Sequence, residues 1–235
     1  PYTQMQTTPP PVPVAATDGA RITLADGRRL IDGVSSWWTA CHGYNHPHIR
    51  AAVSEQLETM PHVMFGGLAH EPALSLAQRL SGLLPGDLNR VFFSESGSVS
   101  VEIAMKMAMQ YWINNGETRR RKFIGFEYAY HGDTIGAMSV CDPEEGMHAL
   151  FSGLLPEQYI APLPRSDEAF ERFESFLDTH AADCAAVIIE PLVQGAGGMK
   201  MHPPETLARI QKAAKRHGLL FIVDEIMTGF GRTGT

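Results

Sequence analysis

Apolar positions from Ile49 onward recur at spacings of three and four, through Ala52, Val53, Leu57 and Met60. A single stripe at that period predicts an amphipathic helix. Pro47 suits its first turn and Pro61 stops it. Ala73, Leu76, Ala77, Leu80 and Leu83 repeat the pattern, predicting a second helix over 72–83 with that stripe turned inward. Residues 99–113 are rich in methionine and apolar nearly all round, which predicts a buried helix. Phe170, Phe173 and Leu177 mark another helix, with Asp167 and Glu168 near its positive start. Pro203 and Pro204 open a further one, with Leu207, Ile210 and Ala214 inward and Gly218 ending it.

Between these helices run short, unbroken apolar stretches at 91–93, 123–126, 186–189 and 219–223. Strands apolar on both faces, joined through helices, predict a mainly parallel sheet with helices on both faces, an α/β fold. Upstream, Pro9-Pro10-Pro11 and Pro13 predict an extended arm over 1–18. The runs 20–24 and 28–31 flank Asp26-Gly27, a hairpin signal, and Asp32-Gly33 closes that unit.

Composition changes this picture little. Hydrophobic residues make up 44% and charged residues 19%, ordinary globular usage that excludes disorder for the bulk of the chain. No apolar run is long enough to span a bilayer. The net charge of -7 argues against a nucleic-acid partner. Cys41, Cys141 and Cys184 are widely spaced and odd in number, which points to a reducing cytoplasm rather than a disulfide framework. The chain opens at Pro1 and closes on Gly-Arg-Thr-Gly-Thr, so it reads as a piece of a longer protein.

In an open α/β sheet, ligands bind at the carboxyl ends of the strands. Ser94-Glu95-Ser96-Gly97-Ser98 leads into a helix, where small residues let backbone N–H groups close on a phosphate. The same residues also suit an ordinary helix cap. Glu190 follows one strand and Asp224 another, and a carboxylate there is costly without a cationic partner. Tyr130-His131-Gly132-Asp133 follows a third; its tyrosine is either a stacking face for a flat ring or a satisfied loop residue. The loop Gly195-Ala196-Gly197-Gly198 matches neither the dinucleotide nor the P-loop pattern. Trp37-Trp38 divides between a packed and a pocket-lining role. Cys41-His42 and His46-Pro47-His48 lack zinc-ligand spacing and suit a turn, so no metal site is expected. A phosphate cup, a ring face and a buried carboxylate at one sheet edge are the three partners that pyridoxal phosphate needs.

The run Asp224-Glu225-Ile226-Met227-Thr228-Gly229-Phe230-Gly231-Arg232-Thr233-Gly234 resembles the signature of class III aminotransferases, which have the fold-type I fold. Ser35-Ser36-Trp37-Trp38, His42 through Pro47, His62 through Gly67, Ser96 through Trp112 and Val140-Cys141-Asp142-Pro143 extend the likeness over essentially the whole chain. They favour the branch that moves an amino group from S-adenosylmethionine to 8-amino-7-oxononanoate, giving 7,8-diaminononanoate in biotin synthesis. Other members with a different donor or acceptor are the alternative.

The resemblance implies roles. Gly97 and Ser98 match the phosphate-binding backbone, Tyr130 the aromatic on the cofactor ring, and Asp224 the catalytic partner of the ring nitrogen. Glu190 matches a residue near the cofactor. Tyr2, Trp37, Tyr130, Asp133 and Arg232 match residues at the substrate. The resemblance further implies an arm and part of a smaller α+β domain over 1–46, and the first part of the large cofactor-binding domain over 47–235. It implies a homodimer with sites at the interface. The lysine that holds the cofactor in the family lies beyond the signature. None of the five lysines, Lys106, Lys122, Lys200, Lys212 and Lys215, fits its place, so the stretch alone is expected to be inactive.

Overall fold

The unbroken apolar runs become the centre of a parallel sheet. In the computed structural model, which describes residues 7–144, 148–151 and 153–234, the four-stranded sheet has the order β5-β4-β6-β9. Its strands are β4 (Lys122–Phe126), β5 (Tyr159–Ala161), β6 (Cys184–Ile189) and β9 (Leu220–Val223). All pairings are parallel, with Ile124 opposite Tyr159 and Val187, and Ile189 opposite Val223. Every residue of β6 is buried, because helices cover both of its faces.

Those helices are α3 (Gly97–Asn114) on one face, and α5 (Asp167–His180) and α6 (Pro204–Arg216) on the other. The inward residues of α5 are Phe170, Phe173 and Leu177, the three its period marks. Ser166 caps that helix by accepting from the Ala169 N–H at 3.3 Å. Ser166→Ala is expected to cost about 1 kcal/mol in urea denaturation and to leave cofactor affinity unchanged. Along α6, Ile210 and Ala214 are buried as the pattern predicts, and Gly218 (φ +66°) ends the segment.

Four expectations are corrected. The stretch 91–93 pairs with no strand among the described residues; an apolar run needs a neighbour's ladder to become one. Helix α3 buries only Val101, Met105 and Ala108, while Met107 and Tyr111 are exposed, so it has one covered face rather than a buried circumference. Helices α1 (Pro47–Thr59) and α2 (Glu71–Leu83) form where expected, yet neither buries a residue. Of their stripes, Ile49, Val53, Leu57, Leu76 and Leu83 are exposed, while Ala73, Ala77 and Leu80 are half-buried. Lastly, Val14–Asp18 forms strand β1 rather than continuing the extended arm.

The chain divides into two compact units, Pro1–Val91 and Phe92–Thr235. In the first, β1 pairs antiparallel with β2 (Arg21–Leu24), and β2 with β3 (Arg29–Ile31) across the Asp26-Gly27 turn. The second holds the parallel sheet, the short helix α4 (Ile135–Ser139) and a hairpin of β7 (Val193–Gln194) and β8 (Lys200–Met201). Among the described residues, no helix is long and apolar enough to cross a membrane.

Candidate functional site

The parallel strands deliver their next residues to one edge, and the chemistry gathers there. Asp224 follows β9 and is buried. Its Oδ2 lies 2.7 Å from His131 Nδ1, and its Oδ1 accepts from the Ile226 N–H at 3.1 Å. Each oxygen keeps a second lone pair for a further donor. His131 is fully enclosed, and its Nε2 has no partner among the described residues.

The start of α3 lies against the same residues. Ser96 caps it, its Oγ accepting from the Val99 N–H at 3.2 Å. The first N–H groups of a helix have no intrahelical acceptor, so those of Gly97 and Ser98 face outward from the first turn. A Cβ on Gly97 would stand 2.9 Å from Ile226 Cδ1, and one on Gly132 would stand 2.2 Å from Ser98 Oγ. A ring of contacts therefore closes: Gly97 to Ile226, Ile226 to Asp224, Asp224 to His131, and Gly132 to Ser98. A helix start and a buried carboxylate share that ring.

The loop after β4 supplies the rest. Tyr128 has a left-handed backbone (φ +63°), held by its N–H donating to Asp142 Oδ2 at 2.6 Å. Tyr130 donates its hydroxyl to Asp133 Oδ2 at 3.0 Å, and the Asp133 N–H donates to Ser98 Oγ at 3.1 Å. Burial, and then the bond to Asp133, push the Tyr130 phenol up to about 12. At neutral pH that hydroxyl is a donor, not a base. Glu190 follows β6, its Oε2 accepting from the Tyr130 N–H at 3.1 Å and its Oε1 from the Gly195 N–H at 2.9 Å. Burial pushes its carboxyl up, against the lowering effect of those N–H groups and of His131. Glu190 thus ties the Tyr130 loop to the β7–β8 hairpin.

Gly97, Ser98, Tyr130, Asp133, Glu190 and Asp224 therefore come together on hydrogen bonds and close contacts. Arg232 is exposed in the turns that follow β9. Trp37 belongs to the first compact unit. There Ser35, Ser36, Trp37 and Trp38 are all left-handed, a conformation that costs L-residues energy, and the Trp37 side chain is exposed. Asp32 pins this turn by accepting from the Val34 and Ser36 N–H groups at 3.1 and 2.7 Å. The Tyr44 hydroxyl is the largest cause lowering the Asp32 carboxyl. Tyr2 lies outside the described residues. Lys106 sits on α3, Lys212 and Lys215 on α6; Lys122 donates to the Glu157 carbonyl and Lys200 lies over the Tyr128 ring. His131 was given no role from the sequence, although it adjoins Tyr130. Its sign was its place in a strand-end loop beside two residues already singled out.

A buried carboxylate with lone pairs to spare accepts well from a protonated ring nitrogen. The helix start two contacts away has the N–H donors that suit a phosphate. The residues present fit pyridoxal phosphate on that donor and acceptor chemistry.

Known proteins resemble this chain in sequence and in fold. The chain is 50% identical over 231 residues to adenosylmethionine-8-amino-7-oxononanoate aminotransferase of Mycobacterium leprae, covering 96% of this chain and 53% of that protein. The enzyme of that name from Synechococcus elongatus is 48% identical, with 100% and 57% covered. The chain thus spans about half the length of the curated relatives it matches. Among solved structures, the Methanocaldococcus jannaschii enzyme of that name superposes with a TM-score of 0.94 at 36% identity, over 100% of this chain and 54% of that one. A Pseudomonas jessenii omega transaminase in complex with PMP gives 0.87 at 26% identity, over 100% and 58%. Such superposition bears out the fold-type I architecture expected from the signature. Residues 2–235 match the family described as aminotransferase class-III, and with the Asp224 edge assembled as above, the chain belongs to that family.

Proposed function

We propose that the full-length protein is a pyridoxal phosphate-dependent aminotransferase that moves an amino group from S-adenosylmethionine to 8-amino-7-oxononanoate, giving 7,8-diaminononanoate in biotin synthesis. The observation that carries it is the closed ring from Gly97 through Asp224 and His131 to Ser98. Relatives up to 50% identical that bear this activity in their names support the choice of substrates.

When bound, the cofactor supplies an electron sink for the pair released as the substrate's α-proton leaves. The residues described here bind, orient and hold charge. Gly97 and Ser98 offer N–H groups to the phosphate. Asp224 keeps a proton on the ring nitrogen, which preserves the sink. His131, through Nδ1, holds the Asp224 carboxylate in place. Tyr130 offers its face to the ring, and Glu190 fixes that tyrosine by its backbone N–H. Asp133 presents a negative charge to the substrate amine. Tyr2, Trp37 and Arg232 belong to the substrate side of this reading on the family likeness. So do a homodimer with interfacial sites and the division of the chain into 1–46 and 47–235. The free state of Cys41, Cys141 and Cys184 supports a cytoplasmic setting.

Full-length protein mixed with pyridoxal phosphate is expected to take up the visible colour of the bound cofactor. It should then form 7,8-diaminononanoate with S-adenosylmethionine as donor. A folded protein that stays colourless removes the cofactor reading. Amino transfer from lysine or ornithine, and none from S-adenosylmethionine, moves the protein to another branch of the family.

A further inference from the structure

His148 lies just before a 3-10 turn (Ala149–Phe151), outside every motif discussed so far. It is buried, and its ring stacks on Tyr130 with centroids 6.0 Å apart and planes 22° from parallel. Its Nε2 is enclosed and makes no hydrogen bond among the described residues. The same atom stands 4.0 Å from Asp133 Oδ1. The other oxygen of Asp133 already accepts from the Tyr130 hydroxyl. One imidazole therefore backs the ring of Tyr130 and addresses the carboxylate that Tyr130 holds. Leaving a buried nitrogen unbonded is costly, which favours its engagement with the acceptor beside it.

From this we infer that His148 is a positioning residue for amine recognition, a role that rests on the aminotransferase reading above. Its ring fixes the plane of Tyr130. Its Nε2 steers the Asp133 carboxylate toward the ammonium group that each of the two substrates carries. Asp133 is largely exposed on its own, so without this second hold it samples other rotamers. His148 acts before chemistry, on binding, and touches no reacting atom. The effect belongs in KM rather than kcat.

The test uses the full-length enzyme with cofactor and three variants, each assayed for KM and kcat with both substrates. Wild-type turnover comes first; its absence removes the aminotransferase reading itself, whatever His148 does. With turnover established, H148F keeps a flat ring and loses the nitrogen. It is expected to raise KM for the amines about tenfold, with kcat and cofactor colour within about twofold of wild type. H148Q places an amide nitrogen near the lost Nε2 and should return KM to within about threefold of wild type. H148L lacks both features and should match or exceed the H148F defect. Should H148F not fold, the H148Q and H148L pair carries the same comparison. Equal KM for wild type and the nitrogen-free variants overturns the inference. So does an H148Q defect as large as theirs, because a packing role would not distinguish an amide from a hydrocarbon.

Discussion

Asp224→Asn in the full-length protein is expected to slow amino transfer by about 10²–10³-fold with the fold retained. The substitution is isosteric, so packing is unchanged. What changes is charge at a buried site, where a fixed anion acts with little solvent screening. Both Asp224 oxygens accept from neighbours, His131 Nδ1 and the Ile226 N–H. An asparagine offers one acceptor oxygen and one donor nitrogen, so one of those contacts turns donor against donor. His131 relieves the conflict by moving its proton to Nε2, which has no partner among the described residues. The cost to folding is then about 1 kcal/mol. The cost to chemistry is expected to be larger, because in the proposed role Asp224 keeps the ring nitrogen protonated and a neutral amide would not. Steady-state kcat at saturating cofactor, with a urea midpoint alongside, separates the two. An unchanged kcat would remove Asp224 from the mechanism; a lost fold with normal turnover per folded molecule would make it structural.

The parts of this site that were legible in the sequence share one physical cause. Strands β6 and β9 are flanked by helices, so their apolar runs are continuous and their ends are marked, which located Glu190 and Asp224. Helix α5 buries a narrow stripe, and its period named all three inward residues. Stripes on α1 and α2 are equally clear but say nothing of what lies opposite, and neither holds a fully buried residue. Strand β5 is three residues long at a sheet edge, too short to leave a pattern. His131 escaped for another reason: its partner is 93 residues away, and a single pairing at that distance leaves no periodic trace. His148 is similar, since a ring stacked across a turn is a product of tertiary packing alone.

Gly132→Ala is the second large effect expected, and it tests the ring of contacts from the side opposite Asp224. Gly132 has φ +126°, a backbone region that L side chains rarely adopt. A Cβ there would stand 2.2 Å from Ser98 Oγ, 2.8 Å from Ser98 Cβ and 2.9 Å from Ser98 Cα. The hydroxyl can rotate away; the Cβ and the helix backbone cannot. Strain and overpacking together predict a loss of about 2–5 kcal/mol. Gly116→Ala supplies the comparison, because it carries φ +82° with nothing within 4 Å of its Cβ. It should lose only about 1 kcal/mol, from backbone conformation alone. Pairing Gly132→Ala with Ser98→Gly removes two of the three close contacts and should recover at least about 1 kcal/mol, a non-additive result that only touching residues produce. On the proposed reading, in which Ser98 offers its N–H to the phosphate, Gly132→Ala should weaken pyridoxal phosphate binding in the same preparation. Urea midpoints and cofactor titration of full-length wild type, the single variants Gly132→Ala, Gly116→Ala and Ser98→Gly, and the double variant measure both. Strict additivity between positions 98 and 132 would mean that the loop and the helix start do not meet, and the shared site would fail with that contact.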